Sequence, residues 1–108
     1  MAVMELTYEQ FNTEIRDGKK MAIIDYWAPW CVHCRRIASA YDKIAQEYGD
    51  KLLVAKVNID DVEELARQEM IEVIPTLVFY KDGRSVASIV APESKAKIAE
   101  FIEEHLDN

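Results

Sequence analysis

Met21-Ala22-Ile23-Ile24-Asp25-Tyr26-Trp27-Ala28-Pro29-Trp30-Cys31-Val32-His33-Cys34 is the stretch of this 108-residue chain on which the reading of the rest depends. Its first seven residues are almost wholly apolar, which predicts a central strand covered on both faces. The Ala28-Pro29 step ends that strand and hands over to a helix opening at Cys31. There the backbone N–H groups have no intrahelical partner and the helix dipole is positive, so both effects favour a thiolate over a thiol. Because the thiolate is the nucleophile of disulfide exchange, Cys31 is the expected attacking sulfur. Cys34, one helical turn further on, is the expected resolving one.

These are the only two cysteines of the chain. The same spacing also supplies half of many zinc sites, or two unrelated core cysteines. A closed zinc site needs four N or S donors, and the chain adds only His33 and His105. No metal is therefore expected, although two chains could still share their cysteines around a zinc or iron–sulfur centre. The strand-to-helix context favours a redox dithiol.

The length suits one domain over residues 1–108, large enough to bury a core without cross-links. Half of the residues are hydrophobic and 31% are charged, a globular composition without signs of disorder. The formal net charge of −7 argues against a nucleic-acid partner, since phosphate binding needs a basic patch and only Arg35-Arg36 offers one. Solubility is the simpler reading of that charge, and a monomer is expected. Met1-Ala2-Val3-Met4-Glu5 has no basic region followed by an apolar stretch, and no segment is long enough to span a bilayer. The expectation is a cytoplasmic protein without membrane contact, where a cysteine pair is more often a working dithiol than a staple.

Outward from the opening stretch, Thr7-Tyr8-Glu9-Gln10 reads as a capping box for a short helix carrying Phe11 and Ile15 and closed by Gly18. Ile37, Tyr41, Ile44, Ala45 and Tyr48 recur at helical spacing after the cysteines, with Gly49 where a C′ residue belongs. Leu52 to Ile59 reads as a second buried strand, and Asp60-Asp61 can cap a short helix with Val62, Leu65 and Ala66. Thr76–Tyr80 and Ser85–Val90 flank Lys81-Asp82-Gly83-Arg84, a strong hairpin signal. Ser94 can cap a last helix with Ile98, Phe101, Ile102 and Leu106 on one face. The pattern predicts an α/β fold, a central mixed β-sheet flanked by helices on both faces. Sites in such sheets form beyond the carboxyl ends of the strands, which is where the Cys31 turn falls.

The chain resembles the thioredoxin family over nearly its whole length. Asp25-Tyr26-Trp27-Ala28-Pro29-Trp30-Cys31 is similar to the family's active-site strand and turn, Ala55-Lys56-Val57-Asn58-Ile59-Asp60 to its next strand, and Ile74-Pro75-Thr76 to its cis-proline loop. Lys81-Asp82-Gly83 and the last helix are also in register. The resemblance implies the thioredoxin fold and a thiol–disulfide oxidoreductase that reduces protein disulfides, with the Cys31/Cys34 dithiol as redox centre and no cofactor. The implied partners are disulfide-containing proteins and a flavoprotein thioredoxin reductase. It also places Asp25 beneath Cys34 with Lys56 as its charged neighbour. A buried acid raises its pKa, which suits Asp25 to take the proton of Cys34 through water; a plain hydrogen bond, or a pair with Lys56, is the alternative.

By the same resemblance Pro75 is cis and faces the sulfurs, and Ile74 offers its main chain to an extended substrate strand. From the residues alone, an ordinary strand-start proline is the favoured reading of Pro75. Trp27 is expected in the core. Trp30 is expected to be a partly exposed contact surface, and the resemblance implies that Ile59, Val73, Ile74, Val90 and Ala91 complete an apolar rim that takes many extended segments.

Four departures from the family stand out. Val32-His33 replaces Gly-Pro between the cysteines, and a His there resembles the strongly oxidising periplasmic oxidases. The two extremes differ by about 150 mV, roughly 7 kcal/mol. One imidazole interaction supplies about 1–3 kcal/mol, so the expected potential is somewhat less reducing than an ordinary thioredoxin's, unless His33 is simply solvated. Ser39 stands for a helix-kinking proline. Met70, Val73 and Ala91 stand where glycine is common. Arg35 and Arg36 flank the site where a lysine is common, and read more simply as a solvated helix face. A more oxidising oxidase or isomerase, and a non-catalytic binding module, are the alternative functions.

Overall fold

The computed structural model describes residues 3–106; Met1 and Ala2, and the far end of the expected 1–108 domain, lie outside them. The elements run β1 (Met4–Glu5), α1 (Tyr8–Phe11) continuing into a π-helical stretch (Asn12–Asp17), β2 (Ala22–Trp27), α2 (Val32–Tyr48), β3 (Leu53–Asn58), α3 (Glu63–Gln68), β4 (Thr76–Lys81), β5 (Arg84–Val90) and α4 (Lys95–His105). The five strands form one mixed sheet in the order β1-β3-β2-β4-β5, with β2 central. β1 and β2 run parallel to β3, while β2–β4 and β4–β5 are antiparallel.

Period-two alternation along β2 divides the core between two faces. Ile23 joins Val54, Leu77 and Phe79 under Ile37, Tyr41 and Ile44 of α2 and Ile98, Phe101 and Ile102 of α4. Ala22, Ile24 and Tyr26 face the other way, against Phe11, Ile15 and Leu65. This is the expected sheet with helices on both faces. On the second face a polar thread crosses the core: the Tyr26 and Tyr80 hydroxyls lie 2.6 Å apart, and Tyr80 donates to Glu69, which is paired with Arg16. Each buried hydroxyl thus has the partner its burial demands.

Two caps form as read. Thr7 Oγ1 accepts from Gln10 N–H while the Gln10 side chain returns a bond to Thr7 N–H, and Ser94 Oγ accepts from Lys97 N–H. Asp82 and Gly83 both take positive φ, as a two-residue hairpin turn with the twist of its strands requires. α2 runs unbroken through Ser39.

Other local readings are corrected. Gly18 and Gly49 keep right-handed φ values of −73° and −60°, so neither is a left-handed C′ residue. Lys19, at φ 55°, makes the turn after the first helix. Gly18 is needed for space, since a Cβ there would lie 2.6 Å from the Thr13 carbonyl oxygen. Asp60-Asp61 do not cap α3, whose N-cap is Val62 without a side-chain bond. The turn before it is instead held by Asn58, whose side chain accepts from Asp60 N–H, and the Asp60 carboxylate is used elsewhere. β1 has no counterpart in the sequence reading, and the helix expected up to Gly18 is π-helical over Asn12–Asp17.

Met70 and Ala91, two of the positions where the resemblance implies glycine, hold left-handed φ values of 56° and 47°. For a non-glycine residue that costs about 1–2 kcal/mol, partly offset by the about 0.5–1 kcal/mol by which a side chain restricts the unfolded chain. Met70 is 80% exposed and gives up little packing when removed. Met70→Gly is therefore expected to raise stability by about 0.5–1 kcal/mol, read as a higher urea midpoint at unchanged slope. Gly83→Ala, at φ 84° with its Cβ 2.8 Å from the Arg16 carbonyl oxygen, is expected to lower it.

Candidate active site

Strand β2 ends at Trp27 and the chain turns through Ala28 and Pro29, so that Cys31 becomes the N-cap of α2, at φ −85° and ψ 112°. Its Sγ accepts the Cys34 backbone N–H at 3.2 Å, one of the donors that a helix start leaves without a backbone partner. Cys31 and Cys34 are joined as a disulfide, with Cα atoms 5.2 Å apart. Cys34 is the deeper of the two, 3% exposed against 8% for Cys31. Val32 is exposed and His33 half-buried on the first turn.

Facing the sulfurs is the loop before β4. The Ile74–Pro75 bond is cis, and the Ile74 carbonyl oxygen lies 3.9 Å from Cys31 Sγ. Thr76 Oγ1 donates to the Val73 carbonyl and Ala91 N–H to the Pro75 carbonyl, so both ends of the loop are tied. Ala28, Cys31 and Cys34 pack with Trp27, Ile59 and Ile74 in one small apolar cluster. Trp30, Val73 and Val90 stand outside that cluster, each more than half exposed, and Ala91 is half-buried. Trp30 is held by its own bond, Nε1–H donating to Asp60 Oδ2 at 2.9 Å, which accounts for the carboxylate missing from the α3 cap.

Behind the disulfide lies a cavity of about 100 Å³ lined by Asp25, Cys34, Arg35, Ala38, Tyr41 and Lys56, among others. That is room for a few water molecules. Asp25 is 3% exposed, and among the described residues no group donates to its Oδ1. Burial pushes its pKa from 3.8 up to about 7, with Lys56 opposing the rise and Glu5 adding to it. Tyr41 lies on the same cavity, its hydroxyl bonded to the Ile23 and Ala55 carbonyls.

Trp27 is corrected from core to half-buried. An indole N–H needs an acceptor, and it finds Glu5 Oε1 at 2.7 Å on the edge strand. The sequence reading missed Glu5 altogether. It also ion-pairs with Lys56, whose Nζ lies 3.8 Å from Glu5 Oε1 and 4.6 Å from the centre of the Trp27 ring. Register would have revealed it: Glu5 and Asp25 both pair with Lys56, so β1, β3 and β2 present acid, base and acid in one row.

Among the described residues no group of three or more His, Cys, Asp or Glu side chains is placed to hold a metal ion. None of their helices is long and apolar enough to cross a membrane.

A cysteine pair at the N-terminus of a helix, beside a cis-proline loop on a mixed sheet, defines a thiol–disulfide oxidoreductase. The sequence model of the thioredoxin family matches residues 2–104. Thioredoxin 1 of Nostoc sp. is 38% identical over 105 residues, covering 97% of this chain and 98% of that protein. Thioredoxin 1 of Synechococcus elongatus is 39% identical over 105 residues, 97% of this chain and 95% of its own. The thioredoxin of Bacillus subtilis is 37% identical over 106 residues, 98% of this chain and all of its own length. The chain belongs to the thioredoxin family.

Because the folded Asp25 binds its proton more tightly than the unfolded chain does, the folded state loses stability as pH rises from about 3.8 to about 7. Over that window the cost amounts to about 4 kcal/mol. Asp25→Asn removes it. The change in stability produced by Asp25→Asn is expected to be about 3 kcal/mol more favourable at pH 8.5 than at pH 4.5, measured by denaturant unfolding of the oxidised protein at both values.

Proposed function

We propose that this protein reduces disulfides in other proteins, as a one-domain, monomeric, cytoplasmic electron carrier recharged by a flavoprotein thioredoxin reductase and using no cofactor beyond its own dithiol. The observation that carries the reading is the seat of Cys31: its sulfur caps α2 and accepts the Cys34 N–H. Partial positive charge at that position stabilises the sulfur as a thiolate.

In the reduced protein the Cys31 thiolate attacks one sulfur of the target disulfide. A Cys31–target bond forms, and the other target sulfur leaves as a thiolate. Cys34 then attacks Cys31 Sγ, the Cys31–Cys34 bond forms, and the second target sulfur leaves with the electron pair. Two electrons pass from the dithiol to the target, and the two target thiolates take up protons from solvent. For the second step the Cys34 thiol must lose its proton. Asp25 lines the same cavity as Cys34 and, with a pKa near neutrality, exists as both acid and base there; it accepts that proton through water. Lys56 tempers the burial that raises Asp25.

The target segment lies across the loop of Ile74 and Pro75, pairing with the Ile74 main chain as an added strand. Trp30, Ile59, Val73, Val90 and Ala91 give it an apolar bed that reads shape and hydrophobicity rather than sequence. Val32 and His33 tune the pair. His33 sits on the first turn beside the attacking sulfur, and it makes the disulfide moderately easier to reduce than one flanked by Gly-Pro.

Cys34→Ser leaves the first step intact and removes the second. Incubated with a disulfide-containing protein, that variant is expected to accumulate a covalent adduct through Cys31, visible by mass and released by excess thiol. Cys31→Ser is expected to form none; an adduct through Cys34 in that variant would contradict the assignment of roles.

A further inference from the structure

Glu5 lies on the two-residue strand β1, the outermost of the sheet, yet it touches the row of groups that leads to the cavity under Cys34. Its Oε1 accepts the Trp27 indole N–H at 2.7 Å and lies 3.8 Å from Lys56 Nζ. Lys56 is the register partner of Glu5 on one side and of Asp25 on the other. Lys56 thus has an acid as register partner on each side: its ammonium is in ion-pair contact with Glu5, and its side chain lines the same cavity as Asp25. We propose that Glu5 is a positioning residue for the resolving step: it holds Lys56 and Trp27 toward the sheet edge, divides the charge of Lys56 between two acids, and so governs how readily Asp25 takes the proton of Cys34.

The charged and titratable groups that face Asp25 are few. They are Lys56 on β3, Glu5 on β1, and Cys34, Arg35, Tyr41 and Asp42 on α2, all but Glu5 on the cavity wall; β4 offers Leu77 as the register partner. Of these, Lys56 and Glu5 act on the Asp25 carboxyl with opposite sign. Asp61 acts in turn on Glu5. Drawing Lys56 against Glu5 and the Trp27 ring leaves the buried carboxylate with less compensation, which makes it the stronger base. A stronger base takes the thiol proton more readily.

This inference rests on the reading of Asp25 as proton acceptor, and the two are tested separately. Glu5→Gln keeps an oxygen that can accept the Trp27 N–H but removes the charge. The Asp25 carboxyl is followed by carbon NMR across pH in reduced wild-type protein, Glu5→Gln and Lys56→Gln. With Glu5 neutral the midpoint is expected to fall by about half a pH unit or more, and with Lys56 neutral to rise, while the Trp27 indole N–H resonance stays in place in Glu5→Gln. A Glu5→Gln midpoint within about 0.2 unit of wild type, or a shift in the same direction for both variants, would overturn the proposal. The rate at which a Cys31 mixed disulfide is resolved, compared between wild type and Asp25→Asn across the same pH range, tests the underlying reading alone. An unchanged profile there would reject Asp25 as acceptor while leaving the Glu5 titration result standing.

Discussion

An acid held inside the sheet is the constraint around which this site is arranged. Asp25 occupies a strand position whose neighbours on the same face, Ile23 and Leu77, belong to the apolar core. An ionised carboxylate there is poorly solvated, and a plain hydrophobic residue would make the sheet more stable at neutral pH. Its placement beside the cavity wall of Cys34 gives that instability a use in the mechanism proposed: a carboxyl group that titrates near neutrality exchanges protons in both directions, whereas an exposed aspartate would remain a carboxylate throughout.

In the mechanism proposed, the attacking sulfur is prepared by a different means. Cys31 depends on the helix start, where the Cys34 N–H points at Sγ and favours the thiolate against the apolar packing of Trp27, Ile59 and Ile74. On that proposal the two sulfurs have separate electrostatic controls, a dipole for one and a buried acid for the other, although they stand only one turn apart. The sheet order makes this possible. With β2 central, its carboxyl end meets β3 on one side and the cis-proline loop of β4 on the other, so that acid, lysine and loop converge on one helix terminus.

Much of this was legible in the chain because each element carried its own signal. The apolar run into Ala28-Pro29, the Thr7 and Ser94 caps and the Asp82-Gly83 turn are local, and local chemistry decided them. What escaped depends on distance. β1 has two residues and no pattern, and Glu5 acquires meaning only when β1 is laid beside β3. Asp60 read as a helix cap because its partner, the Trp30 indole, lies thirty residues earlier in the chain. Gly18 and Gly49 carried the composition of C′ residues, yet the left-handed turn went to Lys19 in one case and to no residue in the other. Met70 and Ala91, read only as additions to the groove, also hold backbone conformations in which glycine is more comfortable.

Val32-His33 stands between the cysteines where the resemblance implies Gly-Pro, and in the function proposed it bears directly on the direction of electron flow. The reduction potential of the Cys31/Cys34 pair, obtained by equilibrating the pure protein in graded thiol–disulfide buffers and counting free thiols, measures that direction. The account predicts a value somewhat above the roughly −270 mV of thioredoxin and below the roughly −180 mV of a disulfide isomerase, consistent with a donor of electrons to protein disulfides. A value near the roughly −120 mV of a dedicated oxidase would contradict it and reverse the assigned direction.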